Sequence, residues 1–100
     1  MVTLKVIGGK WKPAILWELY QCEVARFGEL RNRIPGINHK MLTQQLRELE
    51  KDGIITREVY AQVPPKVEYQ LSRRGQSLHR ILYEMSVWGM NNSGQQPPLK

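Results

Sequence analysis

Between Gly36 and Gly75 the chain reads GINHKMLTQQLRELEKDGIITREVYAQVPPKVEYQLSRRG. A polar cap, an amphipathic run, a glycine and two β-rich runs in that order leave few folds open. At about 100° per residue, Leu42, Leu46 and Leu49 share one side of a helix, while Lys40, Gln44, Arg47 and Lys51 lie nearly opposite. The first side calls for a core. The second carries residue types that contact phosphates and base edges.

The flanking residues set the limits of this helix. Pro35 disfavours helical geometry before it and Gly36 takes positive φ at little cost, so the pair makes a tight turn. Asn38 is the N-cap, with a side-chain oxygen able to accept from exposed first-turn amides. The helix runs to about Asp52, where Gly53 stops it. IITREVY is rich in β-branched residues and predicts a strand; VEYQL alternates and predicts its partner. Neither proline of the intervening AQVPPK can donate to a ladder, so the turn projects as a stiffened tip.

Before this block, Pro13 opens a helix from about Lys12 to Cys22, with Ile15, Leu16 and Leu19 at helical spacing. A second, short helix is expected over Phe27 to Ile34, with Phe27, Leu30 and Ile34 on one stripe. After it, Ser72 is placed to cap one final helix in which Leu78, Ile81, Leu82, Met85 and Trp88 recur. The order is three helices, two strands and a helix, with room for a short turn or strand ahead of the first. The fold class is mainly α with a small β-hairpin wing. Residues 1–90 form one winged helix-turn-helix domain, and the polar tail 91–100 is expected to be disordered.

At 100 residues a single core fits. Apolar residues make up 41% and charged ones 24%, as in ordinary globular domains. No apolar run approaches the ~20 residues needed to span a bilayer, and the N-terminus lacks a secretory signal, so a cytoplasmic protein without a membrane partner is expected. The net charge of +6 favours polyanionic partners. The lone Cys22 excludes an intrachain disulfide or a cysteine-rich zinc site and is best read as an inert thiol. Catalytic motifs are missing: His39 and His79 have no spaced ligand set, GGK falls short of a phosphate loop, and no cofactor is implied. Gly8 and Gly9 are expected to form a turn into the first helix.

The candidate DNA-contacting residues are Asn38, His39, Lys40, Thr43, Gln44 and Arg47 on the third helix, with Arg57 and Lys66 on the hairpin. An α-helix fits the major groove. Arg47 or Lys40 can donate to guanine O6 and N7, and Gln44 can pair with adenine through both ends of its amide. Lys66 and Arg57, with Gln62 in the turn, suit the phosphate backbone or an adjoining minor groove. Lys10, Lys12, Arg31 and Arg33 are further phosphate candidates for which surface solvation is the plainer reading. Trp11, Leu78, Ile81, Leu82, Met85 and Trp88 are the candidate dimer interface, since the terminal helices carry large apolar side chains in so small a chain. Trp17, Tyr20, Tyr83 and Met85 are read as packing before a ligand cavity.

The strings IGGKWKPAIL, RFGELRNRIPGINHKMLTQQLRELEKDGII and PPKVEYQLSRRGQSL, with the closing Trp88, resemble the HxlR family of small bacterial winged helix-turn-helix regulators over nearly all of Val6 to Gly89. The resemblance implies a homodimer formed by the first and last helices, binding a roughly palindromic operator. It maps the recognition helix to Asn38 through Glu50 and the wing to the segment around Pro64, Pro65 and Lys66. Thiol-sensing relatives carry a cysteine just ahead of the glycine-lysine-tryptophan motif. This chain has only Met1 to Val6 there, and Cys22 does not replace it. Two rival readings follow from the same residues: a winged-helix module for an acidic protein partner, and a regulator with a ligand pocket at the dimer helices.

Overall fold

A computed structural model describes residue 9 and residues 11–92 of the chain. Its elements are α1 (Lys12–Cys22), β1 (Val24–Ala25), α2 (Phe27–Arg33), α3 (His39–Lys51), β2 (Ile55–Tyr60), β3 (Lys66–Leu71), α4 (Arg73–Gln76) and α5 (His79–Asn92). The three long-range helical stripes meet in one core. Ile15, Leu16 and Leu19 of α1, Leu30 of α2, and Leu42, Leu46 and Leu49 of α3 are all at most 2% exposed. Ile54, Ile55, Leu71 and Leu82 close it.

The turn between α2 and α3 and the end of α3 each depend on a glycine. Gly36 has φ +87° and Gly53 has φ +75°, a region costly for any side chain with a Cβ. At the end of α3 the Gly53 amide donates to the Glu50 carbonyl at 3.0 Å and the Ile54 amide to the Leu49 carbonyl at 2.9 Å. This paired reverse bonding satisfies two last-turn carbonyls and aims the chain directly into β2. At the other end the Met41 amide donates to the Asn38 side chain at 2.7 Å, as the N-cap reading requires.

The sheet has three strands in the order β1, β3, β2, all antiparallel. β2 and β3 form the hairpin, registered from Ile55 opposite Leu71 to Tyr60 opposite Lys66. β1 was not expected from the sequence. Its two residues lie opposite Gln70 and Tyr69, so β3 is the central strand and the wing is tied to the end of α1.

The final helix is also divided, where one element from Ser72 was expected. α4 ends at Gln76, the Ser77 hydroxyl donates to the Arg74 carbonyl, and the Leu78 amide reaches only three residues back to the Gly75 carbonyl at 3.1 Å. This tight turn re-aims the chain, and α5 then restarts and packs on α1. It also runs through Asn91 and Asn92, the first residues of the expected tail. The expectations for a strand or turn around Gly8, for Lys10 and for the tail beyond residue 92 lie outside the described residues.

α4 is short but firmly seated. The Ser72 hydroxyl accepts from the Gly75 amide at 3.0 Å and lies 2.6 Å from the Gly53 carbonyl oxygen, to which it donates. The Ser72 amide donates to the Ile54 carbonyl at 2.9 Å. Gly75 rests on that same peptide: a Cβ there would overlap the Ile54 carbonyl oxygen and lie 3.2 Å from its carbon.

Candidate nucleic-acid interface

The exposed face of α3 is polar and basic. Lys40, Gln44, Arg47 and Glu50 project into solvent while the leucine face is buried. Lys40 and Arg47 engage no carboxylate among the described residues, so their charges face outward. The other predicted members of this face are held locally. Thr43 is half-buried and its hydroxyl donates to the His39 carbonyl at 2.8 Å. The His39 ring lies 4.7 Å from that of Phe27, which joins the start of α3 to α2. Asn38 spends its side-chain oxygen on the cap, leaving its amide group outward.

Lys12, a candidate for phosphate contact, is instead buried at 8% exposure. Its ammonium donates to Glu48 Oε1 on α3 at 2.7 Å. A cation withdrawn from water needs a close partner, and Glu48 provides it. The other oxygen of that carboxylate, Oε2, accepts from Gln44 Nε2 at 3.3 Å. The Lys12 hydrogen bond and charge, followed by the Gln44 hydrogen bond, lower the Glu48 carboxyl below its ordinary pKa. Neither Glu48 nor its link to Lys12 was foreseen. The two are 36 positions apart, and only the offset of four from Gln44 to Glu48 along the helix could have hinted at the second contact.

On the wing, Lys66 is not at the tip but at the first residue of β3, opposite Tyr60. Its ammonium sits 4.5 Å from the centre of the Tyr60 ring and 3.8 Å from Glu68 Oε2. Partial desolvation and then the nearby Glu68 carboxylate push the Tyr60 phenol up. The tip proper is residues 61–65, all exposed, with Val63 98% exposed and the Val63–Pro64 peptide cis. Arg57 is exposed opposite Tyr69. On α2, Arg33 pairs with Glu18 at 3.6 Å, and Arg31 is exposed. The structure therefore gathers Lys40, Gln44 and Arg47 on one face and places Arg57 and Lys66 on a separate projection.

The predicted interface residues divide. Leu82 is 4% exposed and belongs to the protomer's own core, and Trp11 packs partly buried against that core beside Gly36. Leu78 and Met85 are half-buried against it. Ile81 at 41% and Trp88 at 53% face outward and, with Met85, Ser77, Arg80 and Glu84, line a shallow apolar groove along α5. Tyr20 stacks on His79 at 3.8 Å between ring centres, with Trp17 and Tyr83 beside them at 6.0 and 6.2 Å. These rings pack on one another between α1 and α5, with Tyr20 and Tyr83 still exposed. Cys22 is half-buried against the core.

Among the described residues no helix is long and apolar enough to cross a membrane, and no cluster of His, Cys, Asp and Glu is placed to hold a metal ion. A family model described as HxlR-like helix-turn-helix matches residues 6–97. The chain is 58% identical over 90 residues to the uncharacterized HTH-type transcriptional regulator YtcD of Bacillus subtilis, covering 90% of this chain and 71% of that one. Among solved structures it is similar to the redox regulator HypR in its oxidized form, with TM-score 0.87, 52% identity, and coverage of 91% of this chain and 93% of that one. It is likewise similar to the reduced form of the transcriptional regulator YodB from B. subtilis, with TM-score 0.79, 32% identity, and coverage of 96% and 91%.

Proposed function

We infer the function of this chain from the premise that it belongs to the HxlR-like helix-turn-helix family: it is a winged-helix transcriptional regulator that acts as a homodimer on a roughly palindromic operator. The observation that carries the reading is the outward face of α3, where Lys40, Gln44 and Arg47 stand together over a buried leucine stripe. A helix so presented enters the major groove, where Arg47 donates to guanine, Gln44 pairs with adenine, and Lys40 meets phosphate or guanine. His39, Thr43 and Asn38 fix the helix start through the ring contact, the back-bonded hydroxyl and the cap. The wing lies along the backbone with Arg57 and Lys66 as its cations, and the exposed tip extends toward the neighbouring minor groove.

Two-fold pairing supplies the second reading head. The outward apolar side chains of α5, Ile81 and Trp88, with half-buried Met85 between them, are the surface for it, and Leu82 stays with its own core. Two heads so related contact half-sites about one helical turn apart. Action in the cytoplasm follows from a DNA target. Selection of bound duplexes from a random pool at fixed salt tests the proposal. It predicts enrichment of an inverted repeat with that spacing. No enrichment at low salt, together with co-purification of an acidic protein that covers Arg47, would overturn it in favour of a protein-binding module.

A further inference from the structure

Gln44 is a base contact in the reading above, whereas Lys12 and Glu48 have no role in it beyond joining α1 to α3. Their geometry is more specific than that. Glu48 Oε1 is taken by the Lys12 ammonium at 2.7 Å, whose side chain is 10% exposed, so the carboxylate is fixed from the protein side. Its other oxygen faces Gln44 Nε2 at 3.3 Å, one turn back on the exposed face. An amide has two unlike ends. If the Gln44 amide were turned over, its oxygen would stand against a carboxylate oxygen, two acceptors with no proton between them. Glu48 therefore selects one orientation.

We propose that Glu48, anchored by Lys12, is a positioning residue for base readout, holding the Gln44 amide in the orientation that pairs with adenine. One Nε2 hydrogen goes to Glu48. The other hydrogen and Oε1 remain outward, which is the donor and acceptor pair that adenine N7 and N6 require. An unheld glutamine presents either end and pays rotamer entropy on binding; held in advance, it does neither. Lys12 also compensates the negative charge of Glu48, which otherwise would repel nearby phosphates. The inference rests on Gln44 being a base contact.

The test compares Gln44→Ala, the double variant Lys12→Met with Glu48→Leu, and wild type, all as the full chain. Competition binding at fixed salt is read against the selected operator with each base pair changed in turn. The double variant removes both charges while keeping apolar contact between α1 and α3, so its thermal melt stays near wild type. Gln44→Ala erases the preference at one base pair per half-site, worth about 5- to 150-fold in wild type. The double variant lowers the preference at that same pair by roughly two- to tenfold and leaves other positions and the salt slope intact. Full preference retained there, or an even loss at every position, overturns the positioning role. If Gln44→Ala changes no preference, the base-contact reading itself falls and the inference with it. Should the double variant melt low, Glu48→Gln gives the same readout, because Lys12 holds the amide oxygen at position 48 and turns its NH2 group toward Gln44, which no longer favours the adenine-pairing orientation.

Discussion

Replacing Gly75 by alanine adds a single methyl group where α4 crosses the start of the wing. That methyl has no room: it would overlap the Ile54 carbonyl oxygen, lie 3.2 Å from the carbonyl carbon and touch Ile54 Cγ2 at 3.3 Å. The carbonyl cannot simply turn aside, because it accepts from the Ser72 amide at 2.9 Å and the same seam holds Gly53 through the Ser72 hydroxyl. Overpacking of this kind costs about 1–3 kcal/mol. A hydrogen bond stretched until its buried partner is unsatisfied adds about 1–3 kcal/mol. Alanine in place of glycine in a helix returns about 1 kcal/mol. The net loss centres near 3 kcal/mol, which lowers the melting temperature by roughly 12–24 °C for a domain of this size. Denaturant unfolding followed by circular dichroism measures it, with Gly28→Ala as the control, since a Cβ at Gly28 meets nothing within 4 Å. A Gly75→Ala chain within about 0.5 kcal/mol of wild type, or a Gly28→Ala loss as large, would refute the packing argument.

Other substitutions probe the remaining parts. Leu46→Ala, at a site 2% exposed, loses about 2–5 kcal/mol in the same unfolding assay. Glu48 is held below its ordinary pKa of 4.5, so it contributes stability that is present above about pH 4.5 and lost as pH falls below it; in Lys12→Met that part of the acid dependence shrinks, as melting curves between neutral and acid pH will register. Trp88→Glu places a charge on the outward apolar face of α5 and shifts the protein toward monomer by sedimentation, with the fold unchanged by circular dichroism. Lys66→Ala weakens all duplexes alike and reduces the slope of log affinity against log salt by about 0.9. An unchanged slope would mean that Glu68 and Tyr60 keep this ammonium to themselves.

The elements with strong periodicity were legible in the sequence. α1 spans the same residues that Pro13 and the Ile15, Leu16, Leu19 pattern indicate, and α3 lies between the expected Asn38 cap and Gly53 stop. Two-residue β1 was not legible, since Val24 and Ala25 become a strand only by meeting Gln70 and Tyr69 far along the chain. The break at Ser77 was hidden by an apolar pattern that runs on through Leu78. Just ahead of the break Gly75 is seated on Ile54, a contact between distant segments that no local pattern announces. The same limit applies to the interface. Lys40, Gln44 and Arg47 could be placed on one face from their spacing, but Lys12 read as a surface lysine because nothing local announces its partner Glu48. Lys66 read as a free tip because its engagement by Tyr60 and Glu68 depends on the hairpin register.

The claim that the outward face of α3 reads sequence is tested most directly by the discrimination of Arg47→Ala between the selected operator and scrambled DNA at the same salt. If Arg47 makes a bidentate guanine contact, the substitution costs about 1–3 kcal/mol on the operator, costs much less on scrambled DNA, and relaxes preference at one guanine per half-site. Equal weakening on both duplexes, or undiminished discrimination, would contradict it.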